Sequence, residues 1–429
     1  MDRRKFIFNG SRLFISSLCI PKFAQAKPQN IGVDIKQITF GSEHHFFGYI
    51  GQSLTIPWNK IGNRLICLSS SFHDHLPGKG EAANVKLINL DRKQKEGYEV
   101  EKLDESRGWN PQQGTMFYWN PHQPNHQFFF NDRDPKTGVV FTSLYDIKKR
   151  KRIKTYHYEQ KSFGNSGVCP AGRYFLAINY ARMARLRPVT GYKDSFDWSD
   201  GVAAPKDDGI AIIDIETGEK KILISFEQMA QGLEHSGFDA KDRNLFINHT
   251  LWSRDGQRIY FFVRAGWKSD KDGRERLNAA CSIKVDGSQF IAGHQHIGGH
   301  PEWLNGTQII GSSKNRQVVY DIDQRKIIRT LGDADIFPSP EGDISLSPDG
   351  KWLVNGYNNK SGSNFYSIMN LETASWVKTP PFNTGIYKKD LRIDPAPRWN
   401  HENNQVLVSG LDENGTRQLF VILIDEKSI

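Results

Sequence analysis

The sequence predicts an all-β protein, a seven-bladed β-propeller closed by an N-terminal strand. An aromatic-plus-turn motif recurs seven times, a hairpin motif lies between its copies, and no long amphipathic helix interrupts them. Repeats of this length are the mark of propellers and solenoids. The copies begin at Pro57-Trp58, Tyr118-Trp119, Val168-Cys169, Leu251-Trp252, Glu302-Trp303, Leu346-Ser347 and Arg398-Trp399. Several continue as Ser-x-Asp-Gly, as in Ser253-Arg254-Asp255-Gly256 and Ser347-Pro348-Asp349-Gly350. An apolar strand follows each, among them Arg64–Leu68, Arg258–Phe262, Trp352–Val354 and Gln405–Val408.

The second motif is a strand, a tight turn and another strand. Ile212-Ile213-Asp214-Ile215-Glu216-Thr217-Gly218 is its clearest form, and Ser282–Gly287 and Ile368–Thr373 repeat it. Asp-Gly and Thr-Gly supply the positive φ that tight hairpins need. Two hairpins per repeat make a four-stranded blade. The last copy stops one strand short at Phe420–Ile424, and Val33–Phe40 is the predicted strand that closes the ring. One short helix is expected around Phe226–Gln231. The interval between Cys169 and Trp252 is stretched to 83 residues by an insertion after Asn179. No linker divides the chain, so residues 27–429 read as one domain.

Residues 1–26 read as a twin-arginine export signal. Arg3-Arg4-Lys5 precedes a short apolar run, Leu13–Ile20, and the small-x-small sequence Ala24-Gln25-Ala26. The run is shorter than the ~20 residues that span a bilayer. A periplasmic or extracellular protein with no membrane span follows. Removing the leader takes away five cations and one carboxylate, so the +9 of the whole sequence falls to +5. That charge does not call for nucleic acid but suits an anionic ligand at a cleft. Cys67, Cys169 and Cys281 remain, an odd and widely spaced set with no disulfide framework, and a monomer is expected.

Propeller topology sorts the loops by face. The Ser-x-Asp-Gly turns, with His122, His126 and His401, fall on one face and read as surface. The loops that lead into the first strand of each blade share the other face. They bring Gln112, Gln113, Asn248-His249, His294-Gln295-His296, His300, Asp343 and Asp394, while Asn131, Tyr180, Arg182 and Arg264-Ala265-Gly266-Trp267 follow second strands nearby. A concave polar mouth on a rigid scaffold is the default binding site.

The insertion 180–192 adds Arg182, Arg185 and Arg187, residues suited to gripping carboxylates or sulfates. Tyr180, Tyr192, Phe196, Trp198 and Trp267 offer rings on which sugars stack. His249, Gln295, His296 and His300, with Cys281, form a candidate site for Zn or Mn, or, through amide oxygen, a harder ion such as Ca. The competing reading is a channel lined by hydrogen-bonded histidines without metal.

Trp-Ser-x-Asp-Gly turns with a histidine just ahead, as in Asn248-His249-Thr250-Leu251-Trp252-Ser253-Arg254-Asp255-Gly256 and His300-Pro301-Glu302-Trp303, resemble the oligogalacturonate lyases. The propeller-type ulvan lyases are similar in architecture. The resemblance implies a secreted polysaccharide lyase that cleaves a uronate-containing glycan by β-elimination. It implies a metal near the substrate held by three histidines and a glutamine; His249, His300, Gln295 and either His294 or His296 match that set. It also implies a basic histidine one blade earlier, where Phe163–Gly167 has none and His235 is the nearest candidate. Such chemistry needs a cation to neutralise the carboxylate, a base and an acid. Arg187, Arg182 or Arg264 would neutralise, His249 or His235 would be the base, and Tyr180 would be base or acid. Gln113, Asn131, Arg182, Arg185, Tyr192 and Trp267 would bind substrate. A non-catalytic propeller binding glycan or protein is the alternative. A glycosidase would need a marked carboxylate pair, which Asp132, Asp134, Asp343 and Asp394 do not form by spacing.

Overall fold

Each apolar run of the repeat becomes an antiparallel strand because its turn is locally self-sufficient. In the computed structural model, which describes residues 31–48, 54–267, 272–359, 362–385 and 387–425, the Ser253 hydroxyl bonds Asp255 Oδ1 at 2.6 Å and accepts from the Arg258 N–H at 2.9 Å. Ser347 makes the same pair of bonds to Asp349 and Trp352. Asn59 and Asn400 replace the serine in their copies and accept from the Arg64 and Gln405 N–H groups. The polar side chain satisfies turn N–H groups that would otherwise be unpaired.

The result is an all-β propeller. Five separate four-stranded sheets form, rather than the seven expected, together with one nine-stranded sheet that contains the fifth and sixth sequence copies. The two copies merge because their first strands, Gly298–Trp303 and Asp343–Leu346, pair in parallel at His300 and Asp343. In the sheet that holds Arg398–Trp399, the strand Gly32–Gln37 lies antiparallel to Arg417–Asp425, with Gly32 opposite Asp425 and Gln37 opposite Phe420. The predicted leader, residues 1–26, lies outside the described residues. Among the described residues no helix is long and apolar enough to cross a membrane.

The first strands Phe163–Val168, Phe246–Trp252 and Gly298–Trp303 pack one on the next, as Asp343–Leu346 does on Arg398–Trp399, and the tryptophans of the repeat tie neighbouring copies together. Trp119 Nε1 donates to Pro57 O at 2.9 Å, Trp252 to Gly167 O at 2.8 Å, Trp303 to Leu251 O at 2.8 Å and Trp399 to Ser345 O at 3.0 Å. Each indole is buried and each acceptor belongs to the preceding copy. Burial of so large a ring demands a partner for its N–H, and the neighbouring strand supplies it.

Among the described residues two α-helices interrupt the strands. The insertion folds as α1 (Tyr180–Leu186), capped by the Asn179 side chain, which accepts from the Arg182 N–H. Gly191 lies against the backbone of Ala184, where a Cβ would collide. The expected helix is α2 (Phe226–His235), opened by a capping box of Ser225 and Gln228.

Candidate functional site

The mouth of the channel is built by irregularities in first strands. Strand Phe246–Trp252 bulges between Asn248 and Leu251, and Gly298–Trp303 bulges between Gly298 and Glu302. Bulges re-aim side chains, and here they bring His249 and His300 together, with ring centroids 5.1 Å apart. His249 has a φ of +61°, a left-handed conformation uncommon outside glycine and held by the surrounding strands. The parallel pairing of His300 with Asp343 sets their side chains face to face, Nδ1 to Oδ1 at 2.5 Å. Asp343 also accepts from the Ala396 N–H at 2.9 Å. Burial raises its pKa, but His300, the Ala396 N–H and Arg398 outweigh this and hold it below the usual carboxylate range.

Around this pair stand cations. Burial, then the charges of His300, Arg264, Arg187 and Arg398, push His249 well below the usual imidazole range, so the ring is neutral at physiological pH. Three guanidinium groups surround one indole: Arg264 lies 5.0 Å, Arg276 5.2 Å and Arg187 5.8 Å from the Trp267 ring. Arg264 is steadied by Asn278 Oδ1 at 2.8 Å. Arg187 ends α1, its N–H bonded to Met183 O, and burial with repulsion from Arg392 lowers its pKa to about 10. It is therefore still charged at neutral pH. Facing it, Arg392 pairs with Asp394 at 2.7 Å.

Several residues predicted for the site serve the scaffold instead. Tyr180 is 1 % exposed, donates to Asn165 O at 3.1 Å and stacks on Tyr192 at 4.4 Å; burial raises its pKa well above the phenol range. Its proton is not available for acid or base work at the mouth. Asn131 is buried, accepts from the Asn165 N–H and donates to Asn165 O and the Tyr192 hydroxyl. Arg182 is saturated by the carbonyls of Leu245, Val202, Ala203 and Ser199. Arg185 pairs with Asp197 at 2.9 Å and Asp200 at 3.1 Å. Gln113 is buried, its N–H bonded to Asn110 Oδ1. His235 is exposed in the last turn of α2, which packs on the outer strands Lys220–Ser225 and Ile291–His294, not at the channel.

Of the proposed metal ligands only His249 and His300 come together. Cys281 lies within strand Leu277–Lys284, fully buried, and burial pushes its thiol up to about 12. His294 is tied to the Ser282 hydroxyl at 2.8 Å and Tyr320 at 3.3 Å. Gln295 and His296 are exposed, and His296 lies beside Phe262. Among the described residues no three His, Cys, Asp or Glu side chains gather as a metal site. The cations around His249 would also repel a dication. The residues present therefore do not fit Mn, Zn or Ca at this place.

Of the predicted residues, the mouth gathers His249, His300, Arg187, Arg264 and Trp267. The sequence places Arg392, with Asp394, on this face but gives it no role, and it does not single out Arg276 or Arg398 as site residues; Arg398 directly precedes a repeat tryptophan, the one signal that places it near the channel. On the opposite face His122 is exposed as expected, but His126 and His401 are half-buried, and burial lowers His401 to about 4.

No protein-family model matches the sequence, and no curated protein does. Solved propellers are similar to it. The β-propeller domain of Cps50 (Swd1) from Myceliophteria thermophila matches 93 % of this chain and 100 % of its own, with 12 % identity and a TM-score of 0.48. TolB from Acinetobacter baumannii matches 92 % and 97 %, with 12 % identity and a TM-score of 0.41. A prolyl endopeptidase structure matches 90 % of this chain but only 50 % of its own, with 10 % identity and a TM-score of 0.45.

Proposed function

We propose that the chain is an exported polysaccharide lyase that cleaves a uronate-containing anionic glycan by β-elimination at the channel mouth. One observation carries the reading: a neutral His249 imidazole sits beside the His300–Asp343 pair and among arginines. Arg187 and Arg264 bind the carboxylate and stabilise the charge that builds on it as the adjacent carbon loses its proton. His249 takes that proton. The released electron pair forms the carbon–carbon double bond, and the bond to the leaving oxygen breaks. His300, oriented by its contact with Asp343, returns a proton to that oxygen. Trp267 gathers the guanidinium groups of Arg187, Arg264 and Arg276 about its ring and so sets where the carboxylate is held. The scaffold reads as seven blades if the nine-stranded sheet is counted as two, with Gly32–Gln37 as the closing strand.

The test is ultraviolet absorbance from unsaturated product when the purified protein meets a panel of pectate fragments, ulvan and glycosaminoglycans. Turnover is expected on at least one, reduced at least about a hundredfold in His249→Gln, the scale of a general base. Absence of product across the panel, with binding retained, would favour a non-catalytic glycan-binding propeller using the same arginines.

A further inference from the structure

A second cavity opens beside the mouth. It has a volume of about 390 Å³, with Asn358, Tyr387, Lys388, Lys389, Arg392 and Asp394 among its lining residues. That volume is in the range of small-ligand clefts, ~300–1,000 Å³. Three cations face one carboxylate, so the cavity is electropositive. The carboxylate is already engaged, since Asp394 is paired to Arg392. Tyr387 is a fixed platform: its ring stacks on His73 at 4.2 Å, and His73 is bonded to Leu391 O at 3.0 Å.

The cavity adjoins the mouth through the chain itself: Pro395 lines the cavity, and the N–H of the next residue, Ala396, donates at 2.9 Å to Asp343, the carboxylate that contacts His300. Arg187 lies within electrostatic reach of Arg392, Asp394 and Asp390, and of Arg276. Asp394 in turn feels Asp343 and His300. A ligand whose carboxylate meets Arg187 therefore has a second positive, ring-bearing pocket next to it, across Arg392.

We propose that this cavity is a second anion-binding subsite, so that the glycan is gripped by charge on a neighbouring sugar as well as on the sugar at the mouth. The inference rests on the uronate reading of the mouth. Linking two sites through one ligand multiplies affinity without any new contact at either. The cavity takes a further carboxylate on Lys388 and Lys389 and a sugar ring on Tyr387.

The experiment is calorimetric binding of size-defined uronate oligomers, a dimer, a tetramer and a hexamer, to the full chain. Affinity should rise roughly tenfold or more from dimer to the longer oligomers. The double variant Lys388→Ala/Lys389→Ala, two exposed positions, should melt like the wild type, bind the dimer unchanged and lose the gain with length. Equal affinity of the wild type for all three lengths would overturn the subsite while leaving the mouth intact. A variant that weakens dimer and hexamer equally would also overturn it. If no uronate of any length binds, the reading of the mouth fails and the subsite with it.

Discussion

The insertion 180–192 and the segment 387–398 both carry arginines to the same face, yet they use them differently. In the insertion, Arg182 is buried and saturated by backbone carbonyls, and Arg185 is paired with Asp197. At its end only Arg187 reaches the indole that Arg264 and Arg276 also approach. In the other loop, Arg392 and the lysines stand at a cavity wall, and the inward Arg398 faces the histidines. An arginine that satisfies carbonyls holds a loop in place; one that faces other cations holds a place for an anion.

The sharpest break of this comparison is between two arginines of one segment. Arg182→Ala should cost ~3–5 kcal/mol in denaturant unfolding, because several buried carbonyls lose their donor at ~1–3 kcal/mol each. Arg187→Ala should change stability by less than ~1 kcal/mol, yet weaken binding of uronate oligomers more than about tenfold in calorimetry. Equal effects of the two on stability would erase the distinction.

A pH series probes how each region is held. Burial raises Asp208 to about 6 in the network of Asn179 and Ser199 that anchors α1. A carboxyl whose folded pKa is raised keeps its proton in the fold, so its contribution is complete at low pH and is lost as pH rises from about 4 through 6, by about 3 kcal/mol at most. Burial depresses His73, behind Tyr387, to about 3, so its contribution is present above pH ~6.5 and is lost as pH falls toward 3. Unfolding free energies from pH 4 to 7 should show the wild type losing stability relative to Asp208→Asn as pH rises. A difference that stays flat across this range would remove Asp208 from the account.

The smallest effect tests the frame on which both loops stand. Trp303→Phe removes one indole donor to Leu251 O and should cost ~1–2 kcal/mol with oligomer affinity unchanged.

The strands and turns were legible because their determinants are local: Ser253 and Asp255 close their own turn, and the apolar run follows at once. The separation of faces was legible from topology, which is why His249, His300 and Arg264 were found. What could not be read was the fate of each polar group. Tyr180, Asn131 and Tyr192 form a closed set with Asn165, a residue distant from two of them in sequence. The merging of two copies depends on a single parallel bridge, which leaves no mark in composition. Arg276 belongs to a loop without a repeat signature, and only folding carries it to Trp267.

The four indole bonds all run in one direction. Trp119, Trp252, Trp303 and Trp399 each reach back to a carbonyl made earlier in the chain. During synthesis, each new sheet therefore arrives with a donor for an acceptor that already exists. A nascent chain cut off after any of these sheets leaves none of these indoles waiting, whereas a fragment lacking its N-terminal sheets strands the first one it contains. The strand Gly32–Gln37 runs against that direction, since its partner Arg417–Asp425 is made last.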